Sequence, residues 1–259
     1  MKKVLIYTWC ILLLFAVSCQ KDHQNADSDS GHAANWSYSG TTSPEHWGEL
    51  SPGFVKCMEG HLQSPIDIES YAANTHPGSI LEFNYHPSPI DEVNNGHTIQ
   101  ANLEEENLLT ANGHIYSLKQ FHFHEPSEHH VDGIIFPMEM HLVHADSTGK
   151  LAVVGVFIKE GRENPYLQEL WDLLPEHLNA HAHPKNRCDL LHLLPEEKPV
   201  FHYTGSLTTP PCTEGVEWYI LQQPITLSKT QIKRFRNLYH GNSRPVQERE
   251  MRSIEVSTN

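Results

Sequence analysis

The chain has 259 residues, with 32 acidic against 18 basic side chains and a formal net charge of −14. So acidic a chain argues against nucleic acid as a partner and against charge-driven binding to anionic membrane.

At the N-terminus, Lys2 and Lys3 precede an almost unbroken apolar run from Val4 to Val17, then Ser18 and Cys19. The run is short for a bilayer span and reads as a leader over residues 1–18. Ala16-Val17-Ser18-Cys19 resembles a bacterial lipobox, so Cys19 is the expected lipidation site. The expected destination is then the periplasm, with a lipid anchor in the outer membrane. Ala16 stands where leucine is usual, which leaves plain cleavage and an uncleaved anchor open. Residues 19–34 are polar and read as a flexible tether. Removing residues 1–18 takes away two lysines and no acids, moving the charge from −14 to −16. About 225 residues remain (35–259), one domain with room for a full core.

Cys57, Cys188 and Cys212 lie in that domain, an odd number for an oxidising compartment. One disulfide and one free thiol is the simplest outcome, and spacing alone does not choose the pair. No C-x-x-C occurs, which argues against a zinc ribbon or finger.

After a loop-like stretch from Trp36 to about Ile68, β-rich runs recur at Ile80–Tyr85, His97–Leu103, His114–His124, Glu139–His144, Leu151–Ile158 and Glu217–Leu221. Turn clusters such as Asn94-Asn95-Gly96 and Asn112-Gly113 separate them. The Leu151–Ile158 run is apolar on both faces and predicts a central strand. Two helices are expected. One follows Asn164-Pro165 with Leu167, Leu170, Trp171 and Leu174 at helical spacing; the other follows a Ser228/Gln231 capping box. The fold class is mainly β: one domain on a large, mostly antiparallel twisted sheet with a few short peripheral helices.

Chemistry concentrates in Gln120-Phe121-His122-Phe123-His124. On a strand, Phe121 and Phe123 point to one face, while Gln120, His122 and His124 share the other. In a helix the two imidazoles would lie ~200° apart and could not converge. With 20 histidines in the chain, such a pair can also arise by chance. Glu139, His141 and Val143 likewise share one face of an otherwise apolar strand, and a hairpin-like excursion places the two strands side by side. Three imidazoles without a fourth protein ligand is the pattern of a catalytic zinc site, which keeps a position for water. Gln120 and Glu139 then accept from the distal ring N–H groups and fix their tautomers. His124-Glu125-Pro126-Ser127-Glu128-His129 imitates the helical H-E-x-x-H of zinc proteases, but its second histidine comes one residue late and Pro126 would break the helix.

These pieces, with Ser127-Glu128-His129 and Ser206-Leu207-Thr208-Thr209-Pro210-Pro211, resemble the α-class carbonic anhydrases. The likeness runs in order from Trp36-Ser37-Tyr38 and Pro44-Glu45-His46-Trp47, through Gln63-Ser64-Pro65-Ile66-Asp67-Ile68 and Asn94-Asn95-Gly96-His97, to Asn242-Ser243-Arg244-Pro245-Val246-Gln247. It implies Zn²⁺ on His122, His124 and His141, and a hydroxide on that zinc that hydrates CO2 to bicarbonate and a proton. It implies that Thr208 and Glu128 orient the nucleophile, that His97 shuttles the proton, and that Tyr38, Asn95 and Gln100 line a water network. Gln100 stands where the family often has asparagine. Val143, Val153, Leu207, Thr209, Val216 and Trp218 would form the CO2 pocket. Cys57 and Cys212 match positions bridged in many members, which would leave Cys188 free.

Two other functions compete. Members of the fold that lose a zinc histidine are non-enzymatic binding proteins, but all three histidines are present here. His177, His181, His183 and His192 could alternatively serve a zinc buffer, although a solvated helix end and loop is the simpler reading. The sequence leaves monomer and homodimer open.

Overall fold

The structure is a computed structural model that describes residues 35–77 and 80–258. The expected leader, Cys19 and the tether lie outside the described residues.

Twelve strands form one sheet. Its centre comprises β1 (Ile99–Leu103), β2 (His114–His124), β3 (Met138–Ala145), β4 (Leu151–Glu160), β5 (Val200–Ser206) and β6 (Glu214–Leu227). Their spatial order is β1-β2-β3-β4-β6-β5, antiparallel except for the parallel β4–β6 pair. A second parallel pair, Glu255–Thr258 with Asn74–Pro77, lies beyond β5. The expected mostly antiparallel sheet is therefore present, with a mixed character the sequence did not disclose.

Some strands had no clear alternation. Ile90–Asn94 carries two adjacent acids, and Val200–Ser206 contains His202 and Gly205, so neither reads as an apolar run. The expected Glu217–Leu221 strand extends from Glu214 to Leu227. It crosses Pro224 because the register against β4 shifts between Val156 and Ile158, sparing the proline a ladder hydrogen bond.

The central strand β4 buries both faces. Ala152, Val154, Val156 and Ile158 join Phe121, Phe123, Met138, Met140 and Leu142 in one core. Val153 and Phe157 join Ile66, Ile68, Val216, Trp218 and Ile220 in a second core on the other side. Strand β2 feeds the first core in two phases: Tyr116 and Leu118, then Phe121 and Phe123. A β-bulge accounts for the change of parity, because Val143 pairs with Gln120 while His144 pairs with Leu118, leaving Lys119 unpaired.

Two helices cover the phenylalanine face. In α1 (Gln168–Leu173), Trp171 meets Phe123 edge-on at 4.9 Å. From α2 (Lys229–Leu238), Phe235 approaches the same ring at 5.9 Å. The Ser228/Gln231 capping box forms as expected. Asn164 caps a turn, accepting from the amides of Tyr166 and Leu167, and α1 begins only at Gln168.

Cys57 and Cys212 form the disulfide and Cys188 is free and buried, as the resemblance implied. Closing a loop of 155 residues constrains the unfolded chain, a contribution of about 2–4 kcal/mol. Cys57→Ser should lower the melting temperature under non-reducing conditions by roughly 5–15 °C while leaving most room-temperature activity. Equal melting curves would contradict this.

On Ile90–Asn94, Glu92 is buried and its Oε2 has no hydrogen-bond partner among the described residues. Burial, then the charge of Asp91, pushes its carboxyl up to about 8. The folded state therefore binds this proton more tightly than the unfolded state. Stability is full below the ordinary value of 4.5 and declines as pH rises to and through about 8. Glu92→Gln should raise the melting temperature more at pH 9 than at pH 5; an equal shift at both would exclude this account.

Candidate metal centre

The sheet register builds the site as a row. Gln100 on β1 pairs with His122 on β2, His122 with His141 on β3, and His141 with Gly155 on β4. His124 lies two residues further along β2, on the same face as His122. The three imidazoles present ring nitrogens that all lie within 4.8 Å of one another.

Each ring has its distal nitrogen tied to an atom that only accepts. His122 donates from Nδ1 to Gln120 Oε1 at 2.8 Å. His124 donates from Nδ1 to the backbone carbonyl of Asn242 at 2.7 Å. His141 donates from Nε2 to Glu139 Oε1 at 2.9 Å. Those bonds fix the tautomers and leave lone pairs on Nε2 of His122, Nε2 of His124 and Nδ1 of His141. The Nε2 of His124 is buried with no hydrogen-bond partner among the described residues. An orphaned lone pair at the focus of two others fits a divalent cation with nitrogen ligands.

The electrostatics agree. Burial, then the neighbouring His124 and His141, holds His122 well below the ordinary imidazole value. Burial also lowers His124, against the opposing charge of Glu128. For His141, burial is outweighed by the charge and hydrogen bond of Glu139, making it the most basic of the three.

Glu139 is fully buried and accepts four hydrogen bonds. Oε2 takes the amides of Glu128 and His129, both at 2.9 Å, while Oε1 takes His129 Nδ1 and His141 Nε2. Burial alone would raise its carboxyl, but electrostatic attraction to the His129 and His141 rings and the hydrogen bonds they donate bring it well below the usual range. With Nδ1 of His129 donating, Nε2 accepts from Tyr203 at 2.7 Å, and the Ser64 hydroxyl donates to Tyr203 at 2.8 Å. Ser64 Oγ accepts the Ser206 amide at 3.0 Å, so the network reaches the residues just before Thr208.

Behind Glu139, Gly155 supplies space: a Cβ there would lie 2.9 Å from Glu139 Oε1 and 2.6 Å from Ile220 Cδ1.

Glu128 sits beside the imidazoles, with Oε1 accepting the Arg244 amide at 2.8 Å and Oε2 lying 3.9 Å from His141 Nδ1. Thr208 is buried, but among the described residues no hydrogen bond joins it to Glu128, whose Oε2 is an open acceptor. Val143, Val153, Leu207, Val216 and Trp218 gather in the second core, and the Trp218 ring stands 4.9 Å from His141. Thr209 is half-buried and its carbonyl accepts the Cys212 amide, closing the turn that follows Thr208.

His97 is half-buried, and burial lowers its pKa. Its ring stacks on Trp36 at 3.6 Å with planes 5° apart. Asn95 caps the turn by accepting the amides of His97 and Thr98. Gln100 accepts from Asn95 at 3.3 Å and donates to Asn102 at 2.7 Å, beside His122. Tyr38 lies 6.5 Å from His97, ring to ring. Burial, then the charge of Glu128, holds its phenol well above the ordinary value.

Outside this site, His181 pairs with Asp91 at 2.8 Å and His192 stacks on Tyr166 at 4.1 Å. Neither they nor His177 and His183 form a convergent ligand group among the described residues.

Sequence reasoning identified Gln120 and Glu139 as acceptors but missed the acceptor of His124. A backbone carbonyl 118 residues away carries no residue-type signature. Nor did it give roles to His129, Tyr203 and Trp36, although His129 lies inside a motif it singled out.

A family model described as eukaryotic-type carbonic anhydrase matches residues 42–258. A carbonic anhydrase of Klebsiella pneumoniae is 45% identical over 218 residues, spanning 83% of this chain and 88% of that protein. One from Nostoc sp. is 42% identical over 217 residues, 82% of each chain. The solved α-carbonic anhydrase of Thermovibrio ammonificans, in complex with the inhibitor sulfanilamide, superposes with a TM-score of 0.83 at 43% identity. That match covers 87% of this chain and 99% of that one. This chain belongs to the α-class, or eukaryotic-type, carbonic anhydrase family.

Proposed function

We propose that the protein is a zinc carbonic anhydrase that reversibly hydrates CO2 to bicarbonate and a proton. The observation that carries this reading is the convergence of three imidazole lone pairs within 4.8 Å, each with its distal nitrogen tied to an acceptor. His122, His124 and His141 would hold Zn²⁺, which, when bound, acts as a Lewis acid that lets water ionise near neutral pH.

The chain's own residues do the rest. Val143, Leu207 and Trp218 offer an apolar wall beside the imidazoles, suited to an uncharged substrate such as CO2. Thr208 has one hydroxyl proton, and Glu128 as a carboxylate can only accept it at the open Oε2. The Thr208 oxygen is then left to accept from the oxygen nucleophile, which turns a lone pair toward carbon. His97 takes the released proton through water and passes it to solvent, a task suited to an imidazole, which can both accept and release a proton. Tyr38, Asn95 and Gln100 would order that water.

The disulfide fits an oxidising compartment. Together with the leader-like stretch, it supports export to the periplasm, with Cys19 as the point of lipid attachment.

The decisive experiment is stopped-flow CO2 hydration by wild type and His141→Ala. Loss of bound zinc and a fall toward the uncatalysed rate are expected; comparable rates for the two would sink the assignment. A second measurement concerns the proton. Because burial lowers His97 below 6.5, its proton-accepting form persists to lower pH than ordinary imidazole. In weak buffer, kcat should therefore rise with pH through a midpoint below that value. His97→Ala should lower kcat on the order of 10-fold or more, with recovery in added imidazole and kcat/KM nearly unchanged. A variant that imidazole does not rescue would remove His97 from the proton path.

A further inference from the structure

Resting on that reading, we propose that Asn242 is a positioning residue that couples a metal-ligand strand to the turn carrying the proton-transfer histidine. Asn242 is 3% exposed, and every polar atom it owns is committed. Its backbone amide donates to the Glu125 carbonyl at 3.1 Å, and its backbone carbonyl accepts from His124 Nδ1 at 2.7 Å. Its side-chain Oδ1 accepts the Glu125 amide at 2.8 Å. Its side-chain Nδ2 donates to two carbonyls, His97 and Phe123, both at 3.0 Å.

Those partners belong to two structures that must keep a fixed relation during turnover. Phe123 and His124 end the strand that aims two imidazoles, and Glu125 follows directly. His97 belongs to the Asn95–Thr98 turn, which is held internally by the Asn95 side chain and by the Asn95 amide donating to the Thr98 carbonyl. The planar amide of Asn242 spans the gap with one donor group shared between the two carbonyls. Removing it leaves the His97 carbonyl without its donor, takes the acceptor from the Glu125 amide, and loosens the hold on the backbone carbonyl that fixes the His124 tautomer. Thr98 also donates to the Phe123 carbonyl, so the strand end keeps one tie to the turn without Asn242. The His97 carbonyl has no such reserve among the hydrogen bonds described.

Asn242→Ala separates this role from a merely structural one. Expected results are a 10- to 100-fold weaker zinc affinity by chelator competition and several-fold faster amide exchange at Gly96–Thr98 in the metal-free protein. A several-fold drop in kcat, largely restored by imidazole buffer while kcat/KM changes less, completes the pattern. If Asn242→Ala does not fold, Asn242→Ser, which retains one donor, carries the same readouts. A folded variant with zinc affinity, exchange and kcat all within two-fold of wild type overturns the inference. So does a kcat loss that imidazole leaves untouched alongside unchanged zinc affinity and exchange. A wild type that neither retains zinc nor hydrates CO2 overturns the functional reading instead, and this inference with it.

Discussion

A carboxylate with no exposed surface survives in a protein only if its lone pairs are all used, and Glu139 is the case around which this site is built. Its four hydrogen bonds hold an imidazole on its own strand, an imidazole on the preceding loop, and the amides of Glu128 and His129. The same carboxylate therefore sets the tautomer of His141 and the backbone position of Glu128. Through His129, Tyr203 and Ser64 it extends to Ser206, from which the chain runs into Leu207 and Thr208. The components of the site come from distant parts of the sequence, but their placement is not independent.

Much of this arrangement could be read from residues because strands print their geometry with period two. His122 and His124 were legible because phenylalanines mark the opposite face, and His141 because a charged or polar residue in an apolar strand must have a partner. What stayed hidden follows physical rules too. The bulge at Lys119 reverses the phase of β2, and no residue there announces it. The acceptor of His124 is a main-chain carbonyl, an atom every residue possesses. Ile90–Asn94 escaped notice because a buried acid, Glu92, stands where a strand pattern leads one to expect an apolar side chain. The disulfide pairing came from family resemblance, since three cysteines at unrelated spacings do not choose among themselves.

The surplus of histidines tests which imidazoles matter. His181 and His183 sit beside Asp91 with half or more of their side-chain surface in solvent, where an ion pair contributes about 0–1 kcal/mol. His122, His124 and His141 are held instead by packing from below. Phe123 lies between two of them in sequence and is pressed by Trp171 and Phe235 from two helices. The difference is rigidity: the three proposed ligands would have to keep their geometry before an ion arrives, and aromatic contacts on the far face of the sheet supply order there.

Gly155 gives this dependence an unusual form. The space where its side chain would stand is shared by Ile220 Cδ1 and by Glu139 Oε1 from the next strand. A single methyl group added to β4 would thus act both as a packing fault, against Ile220, and as a change in charge distribution, against Glu139. By displacing the carboxylate it would alter how strongly His141 holds a proton or a cation. At this position, the shape of the core and the basicity of the His141 imidazole are linked.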